Sequence, residues 1–458
     1  MDIRLEDFNN MKILFIDFGN DANSLKNNLR IHEYLSQIDK DLISINRKFF
    51  YLLFRNLFKV HKWRLFKVLF ICSSIYIITK ETKNILSRDS EYYTRLRDCI
   101  LDQIERENGK LCTINTSKKF IRKNFLNFIF KTFKLSLINY IIENKINKHS
   151  INTIFIPQID GFPYYSITSL CLKKNIYIGS CTFNPDFICL IRKDMLYERI
   201  PLPDDINKLN SIKDNELDKE ILKIKDTYIK HEDPIASPNT YKNNSLAIDL
   251  KYYKNLFRNN KKNGIVLLHC FTDQARVRLK NTWYSSYFDW ILETIKFCKL
   301  NDNINWFFKA HPWEDKYPID KSCRNLILEE LSKNNFIYID SKKQLLHGEV
   351  AQFNSLVVTC NGTCKIEYPA LYNIPVISCS GEYIVYDPIE QPFNANSRSE
   401  YKNLILNAHN LKLKSHEIRA NKELLYFLKH KPNNLDNTSK FKLYKYFDKE
   451  GKVVYRNH

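Results

Sequence analysis

Residues Ser355–Ser380 read SLVVTCNGTCKIEYPALYNIPVISCS, and the rest of the chain can be placed around them. Leu356-Val357-Val358 is short, apolar and β-branched, which predicts a buried parallel strand. Asn361-Gly362-Thr363 breaks that run, because Gly tolerates φ > 0 and Thr suits a helix cap. Lys365–Tyr372 then predicts one short helix, and Ile374–Ile377 the next strand. Such a corner aims a glycine turn and a helix N-terminus at one point, where free N–H groups and the dipole favour a phosphate. A second corner lies upstream in Trp306–Pro312, WFFKAHP, a strand running into Lys309, His311 and Pro312. Two such corners in one parallel sheet point to a site for nucleotide phosphates.

Composition sets the frame. At 458 residues the chain is too long for one ordinary core and suits two domains of about 200 residues each. With 44% hydrophobic and 14% aromatic residues it has ample material to fold. The net charge of +20 implies an acidic partner. That charge is dispersed, with no long Lys/Arg block and no nucleic-acid module, so no nucleic-acid partner is expected. None of the 12 cysteines forms CxxC, and most sit in apolar runs, the pattern of reduced, buried thiols. MDIRLEDFNN is acidic and polar, unlike a signal peptide, and no stretch of 18 apolar residues predicts a spanning helix. The expected location is cytoplasmic, peripheral at most.

In chain order, strands are predicted at Met11–Phe18, Val68–Ile78, Leu111–Asn115, Asn152–Pro157 and Ile176–Cys181. Helices are predicted at Leu25–Gln37, Tyr92–Glu107, Lys118–Asn147 and Tyr164–Lys174. This alternation makes residues 1–200 an α/β domain with a parallel sheet. Arg47–Lys67 interleaves bases with aromatics at helical spacing, either as a core-facing helix with snorkelling bases or as a helix lying on an anionic membrane. Residues 201–263 are polar, with one helical run at Glu216–Lys230, and read as a connection. A second α/β domain spans 264–400, opening on Ile265–Phe271. Residues 401–458 read as C-terminal helices and a basic tail. Neither GxGxxG nor a P-loop occurs.

The residues that could carry chemistry cluster at strand ends. Lys309 and His311, read as opening a Pro312-started helix, can hold a phosphate and offset charge on a leaving group. Asn361, Gly362 and Thr363 form the matching turn, and Glu367 lies one helical turn beyond Thr363, placed for ribose hydroxyls. His269 and Asp273 flank the end of the Ile265–Phe271 strand, where Asp273 could serve as a general base or orient His269. Arg276 and Arg278 would suit an anionic acceptor, and Asp160 ends a strand of the first domain. No GxSxG occurs, and no His/Asp/Glu set has metal-ligand spacing, so no metal is expected.

Three segments, HCFTDQ (269–274) with FDWILETI (288–295), NWFFKAHPWE (305–314) and VVTCNGTCKIEYPALYNIPVIS (357–378), resemble the capsular polysaccharide biosynthesis glycosyltransferases, a GT-B group that includes Kdo transferases. CDP-glycerol-type polymer transferases share this layout. The resemblance implies two Rossmann-like domains facing across a cleft, and transfer of a sugar from a CMP- or UDP-linked donor to a growing glycan. Lys309, His311 and Asn361–Thr363 would lie at the donor phosphates, Glu367 near the ribose, and Asp273 as base. It implies no cofactor beyond the nucleotide-sugar, and a glycolipid or anionic polysaccharide acceptor at the inner membrane surface. Cys364 and Lys365 depart from the small or apolar residues of that pattern. The alternatives are a CDP-polyol-phosphate polymer transferase and a non-catalytic, membrane-associated glycan assembly protein.

Overall fold

The structure is a computed structural model describing residues 12–17, 43–46, 80, 82–86, 90–108, 121–156, 161–180, 187–191, 212–229, 246–247, 261–272, 276, 279, 282–312, 314, 317, 319–341, 343–344, 347–379, 392–429, 442–446 and 453–456. The chain divides into two units. Unit 1 comprises Met1–Ile104, Lys118–Glu198 and Asn434–His458, and unit 2 comprises Glu105–Ser117 and Arg199–Asn433.

Unit 1 is built on strands β1 (Ile13–Asp17), β2 (Ile43–Asn46), β3 (Thr153–Ile156), β4 (Tyr177–Ser180) and β5 (Phe187–Ile191). The order β2-β1-β3-β4 is parallel throughout, and β5 runs antiparallel to β4. All four residues of β3 are buried, as a strand covered on both faces requires. Helix α1 (Glu91–Asn108) begins in this unit, followed by α2 (Phe125–His149) and α3 (Tyr164–Lys174), which pack together. The chain's last segment returns here as β13 (Lys442–Tyr446), parallel to β5, and β14 (Val453–Arg456), antiparallel to β13.

In unit 2, α4 (Asp214–Ile229) comes first, and the short β6 (Leu246–Ala247) pairs with β10 (Lys343–Gln344). The main sheet uses β7 (Lys262–Leu267), β8 (Ile304–Lys309), β9 (Ile337–Ile339), β11 (Leu356–Val358) and β12 (Val376–Ile377). Its order is β12-β11-β7-β8-β9 and every pair is parallel, a doubly wound arrangement with its first strand in the middle. Side chains alternate between two cores. Val266, Phe308 and Val358 face α5 (Tyr287–Cys298), α6 (Lys321–Lys333) and α9 (Arg398–Leu406), through Trp290, Leu331 and Tyr401. Ile265, Phe307 and Val357 face α7 (His347–Phe353) and α8 (Cys364–Tyr372), through Phe353 and Tyr368. A third cluster joins Leu217 and Ile221 of α4 to Ile366 and Leu371 of α8 and to Leu424 and Leu425 of α10 (Ser415–Lys429).

The boundaries therefore differ from those read in the sequence. The stretch 201–263, expected as a connection, contributes α4 to unit 2, because Leu217, Ile221 and Ile224 form an apolar stripe within a polar segment. The basic tail contributes two strands to unit 1 instead of trailing behind the C-terminal helices. The predicted elements at Leu25–Gln37, Arg47–Lys67, Val68–Ile78 and Leu111–Asn115 lie outside the described residues.

Gly264 makes the sheet's closest fit. It stands opposite Trp306 in the register, and a Cβ there would sit 2.9 Å from Trp306 Cζ3 and 3.0 Å from Ile304 Cγ2. Trp306 is itself buried, so neither ring nor strand has room to yield. Gly264→Ala should therefore cost about 1–3 kcal/mol by overpacking. Gly348→Ala should instead be neutral or stabilise by up to about 1 kcal/mol, because it adds a helix former where only Tyr372 Oη lies near, at 3.8 Å. Denaturant unfolding of both variants checks the opposite signs.

Candidate functional site

Strand order places the site. From β7 the chain winds outward to β8 and β9, and then returns to the other side of β7 as β11 and β12. The crevice outside the carboxyl ends of β7 and β11 is the switch point where open α/β sheets accept ligands. His269 follows β7 there, and Thr359–Thr363 follow β11.

The two loops are fastened to each other. The Asn361 backbone N–H donates to His269 Nε2 at 3.3 Å. That nitrogen is therefore an acceptor, and the neutral ring carries its proton on Nδ1. Thr359 Oγ1 stands 3.1 Å from the same nitrogen and donates to the Asn361 carbonyl at 2.8 Å. Tyr287, at the start of α5, stacks on His269 with ring centroids 4.5 Å apart and donates to Asn361 Oδ1 at 3.3 Å. Trp290, one helical turn on, meets the imidazole edge-on at 5.7 Å. The imidazole is thus clamped from three sides.

Gly362 follows with φ +119°, a conformation that L side chains rarely adopt, so the turn needs glycine. The expected Thr363 cap does not form. Thr363 already has helical angles (φ −65°, ψ −21°), and its hydroxyl makes no cap bond to the first turn. Its carbonyl instead accepts from Ile366 at 2.9 Å and Glu367 at 3.0 Å. The N–H groups of Gly362 and Thr363 find no acceptor among the described residues. Two donors at the positive end of a nine-residue helix form an anion-favouring corner.

At the end of β8, His311 Nδ1 lies 3.0 Å from Cys270 Sγ. With the thiol as donor, the His311 proton sits on Nε2, the opposite tautomer to His269. Where a helix was expected from Pro312, Glu314 N–H donates to the His311 carbonyl at 3.0 Å in a turn, residues 313, 315, 316 and 318 lie outside the described residues, and a helix starts at Lys321. Lys309 is only 6% exposed. Its ammonium donates to the carbonyls of Ala310 at 2.8 Å and Asp340 at 3.1 Å. Burial lowers its pKa to about 8, against the opposing pull of Asp340 and Glu314.

The remaining sequence candidates separate. Glu367 is buried in α8 beside Cys364 and Tyr372. Burial and then the Glu367 charge push both of those groups up to about 12. Arg276 makes a two-pronged ion pair with Glu105, one arm at 2.7 Å, inside unit 2. Asp273, Arg278 and Asp160 lie outside the described residues. The structure thus brings His269, Asn361 and Gly362 together directly, with His311 joined to the adjoining strand through Cys270. Tyr287, Thr359 and Cys270 were not singled out by sequence reasoning, and the aromatic run at the start of α5 was the signal available for Tyr287. Among the described residues no group of three or more His, Cys, Asp or Glu is placed to hold a metal.

Fold and site together define an open, doubly wound α/β protein with an anion-favouring switch point. No protein-family model matches the chain, and no curated protein does. Among solved structures it is similar to the UDP-GlcNAc 2-epimerase from Neisseria meningitidis bound to UDP-GlcNAc, at 13% identity over 90% of this chain and 94% of that one, with a TM-score of 0.28. It is also similar to the Methanocaldococcus jannaschii UDP-GlcNAc 2-epimerase in complex with UDP-GlcNAc and UDP, at 12% identity, 65% and 81% coverage and a TM-score of 0.29. Likenesses of this size carry no argument, and the fold stands on the strand order above.

The lowered Lys309 pKa makes a signed prediction. Above pH 8 the folded state begins to lose this proton, while the unfolded chain keeps it up to the ordinary lysine value. Stability contributed by this group therefore rises between pH 8 and about 10.5. The stability difference between wild type and Lys309→Met, measured by denaturant unfolding at pH 7 and pH 9.5, should shift in favour of the wild type at the higher pH. A pH-independent difference would contradict the buried-lysine account.

Proposed function

We propose that the protein is a glycosyltransferase of GT-B arrangement, transferring a sugar from a nucleotide donor to a growing capsular or other surface glycan or glycolipid. The observation that carries this reading is the fastening of the Asn361–Thr363 turn to His269 at the switch point. It presents two backbone N–H groups and a helix N-terminus where a diphosphate or monophosphate can sit. His311, with its proton on Nε2, donates to the same phosphates and stabilises charge developing on the leaving nucleotide. Lys309, turned to the carbonyls of Ala310 and Asp340, shapes the His311 corner and adds positive charge from behind it. Glu367 takes the ribose and Asp273 the acceptor hydroxyl, as the motif resemblance implies. The donor is CMP- or UDP-linked, and the acceptor is reached in the cytoplasm at the inner membrane face.

A thermal-shift panel of CMP, CDP, UDP, GDP and ADP on wild type, His311→Ala and Gly362→Ala tests the reading. A nucleotide at a hundred times its Kd should stabilise the wild type by about 2.7 kcal/mol. One base should stand out, and both variants should lose most of the shift. A response to CDP alone, followed by phosphodiester-linked product, would assign the chain to polyol-phosphate transfer. No shift with any nucleotide would sink the enzyme reading and leave a glycan assembly protein.

A further inference from the structure

The helix α2 is apolar on both sides. Phe128, Leu135, Ile138, Ile142 and Ile146 recur three to seven residues apart and are buried in unit 1. On the other side Leu126 is 82% exposed, Phe130 65%, Tyr140 62% and Phe125 47%. These are four of the eight large apolar side chains that stand exposed among the described residues, gathered on one helix. Such a concentration marks an interaction surface, where scattered single residues would mark nothing.

Charge says what covers it. Leu126, Phe130 and Lys134 follow one another at i, i+4 spacing along α2, and Arg122 stands exposed just before the Asn124 cap, so two apolar side chains lie between exposed bases. Lys123 is exposed beside Phe125, and Lys134 also lies over the Phe162 ring. From Lys118 to Ile142 the sequence holds six bases and no acid. Two copies of this face would bring like charges together, whereas an anionic bilayer meets both the apolar and the basic groups.

By length and composition α2 is also the one helix among the described residues that could cross a membrane. Its inward side argues against crossing. Lys131, Thr132 and Asn139 are buried there, and Asn139 donates to Tyr92 Oη at 2.9 Å. Spanning would tear this side out of unit 1, while lying flat leaves it in place.

We infer that the exposed face of α2, centred on Leu126 and Phe130 and flanked by Arg122, Lys123 and Lys134, docks unit 1 onto an anionic lipid surface. This surface is separate from the Arg47–Lys67 stretch singled out in the sequence. The inference does not rest on nucleotide binding, and its test uses none.

The full chain is sedimented with vesicles of pure phosphatidylcholine and of equal parts phosphatidylcholine and phosphatidylglycerol. Wild type should sediment with the mixed vesicles and stay in solution with the neutral ones. Leu126→Glu with Phe130→Glu should weaken partitioning about tenfold or more. Arg122→Gln with Lys123→Gln should weaken it about fivefold for each base. All four side chains are exposed, so melting curves should match wild type. Wild type ignoring the anionic vesicles, or either variant sedimenting like wild type, would overturn the assignment. So would a wild-type dimer that the Leu126→Glu, Phe130→Glu variant converts to monomer with vesicle binding unchanged.

Discussion

The site depends on one hydrogen bond, from the Asn361 backbone N–H to His269 Nε2. It joins the loop after the sheet's first strand to the loop after its fourth, across the gap that the reversal of strand order opens. By using the nitrogen lone pair it fixes the imidazole tautomer. By fixing Asn361 it sets the entry to the glycine turn, whose φ of +119° redirects the chain into α8. Tautomer, turn and helix direction are thus settled together. Each would be soft alone, since a 3.3 Å bond to a neutral ring contributes only about 1 kcal/mol.

Packing supplies the rigidity which that bond lacks. His269 rests on Tyr287 and against Trp290. Trp290 in turn donates through its indole N–H to Tyr401 Oη at 2.9 Å, and Thr294 shares that hydroxyl at 2.9 Å. All three of these side chains are fully buried. A polar network inside an apolar core costs heavily if any member is lost, which makes its geometry specific. The imidazole at the surface therefore stands on a column of aromatic groups reaching through α5 to α9. On β7 itself, Gly264 admits Trp306 of β8 into the sheet's register.

Much of this was legible in the sequence, for identifiable reasons. Leu356–Val358 forms a strand with the predicted bounds, and the strand read in Trp306–Lys309 is the end of β8, because a strand buried on both faces is a continuous apolar run. Tyr164–Lys174 is likewise a helix with the predicted bounds, closed by Asn175 in the left-handed conformation. The strands β2, β5, β13 and β14 were not legible, because they are short and their neighbours lie far away in sequence. At the site, His269, Asn361 and Gly362 could be read because strand ends and glycine turns are local signals. The contact between Cys270 and His311 could not, since it joins residues 41 apart and arises only from β7–β8 register. The Thr363 cap was misread because a residue type favoured at helix starts sits there in a turn whose backbone is set by its neighbour Gly362.

The two imidazoles are held by different partners, His269 by the backbone of Asn361 and His311 by the thiol of Cys270. His269 spends Nε2 on the backbone of Asn361 and Nδ1 carries its proton, so its role is to shape the turn. His311 Nδ1 lies 3.0 Å from the Cys270 Sγ, and with the thiol as donor its proton sits on Nε2. A thiol is a weak donor, so this contact orients the ring through a weak bond. Lys309 complements this arrangement from behind. Its ammonium is buried against two carbonyls, and its pKa near 8 means it is still mostly charged at neutral pH. A cation this deeply buried is screened by salt much less than a surface lysine is. The backbone donors and His269 stand at the ends of β7 and β11, His311 at the end of adjoining β8, and the buried ammonium is held toward Asp340 beyond β9. Preorganisation of that kind lets a site stabilise charge as it develops, without the reorganisation that free side chains would require.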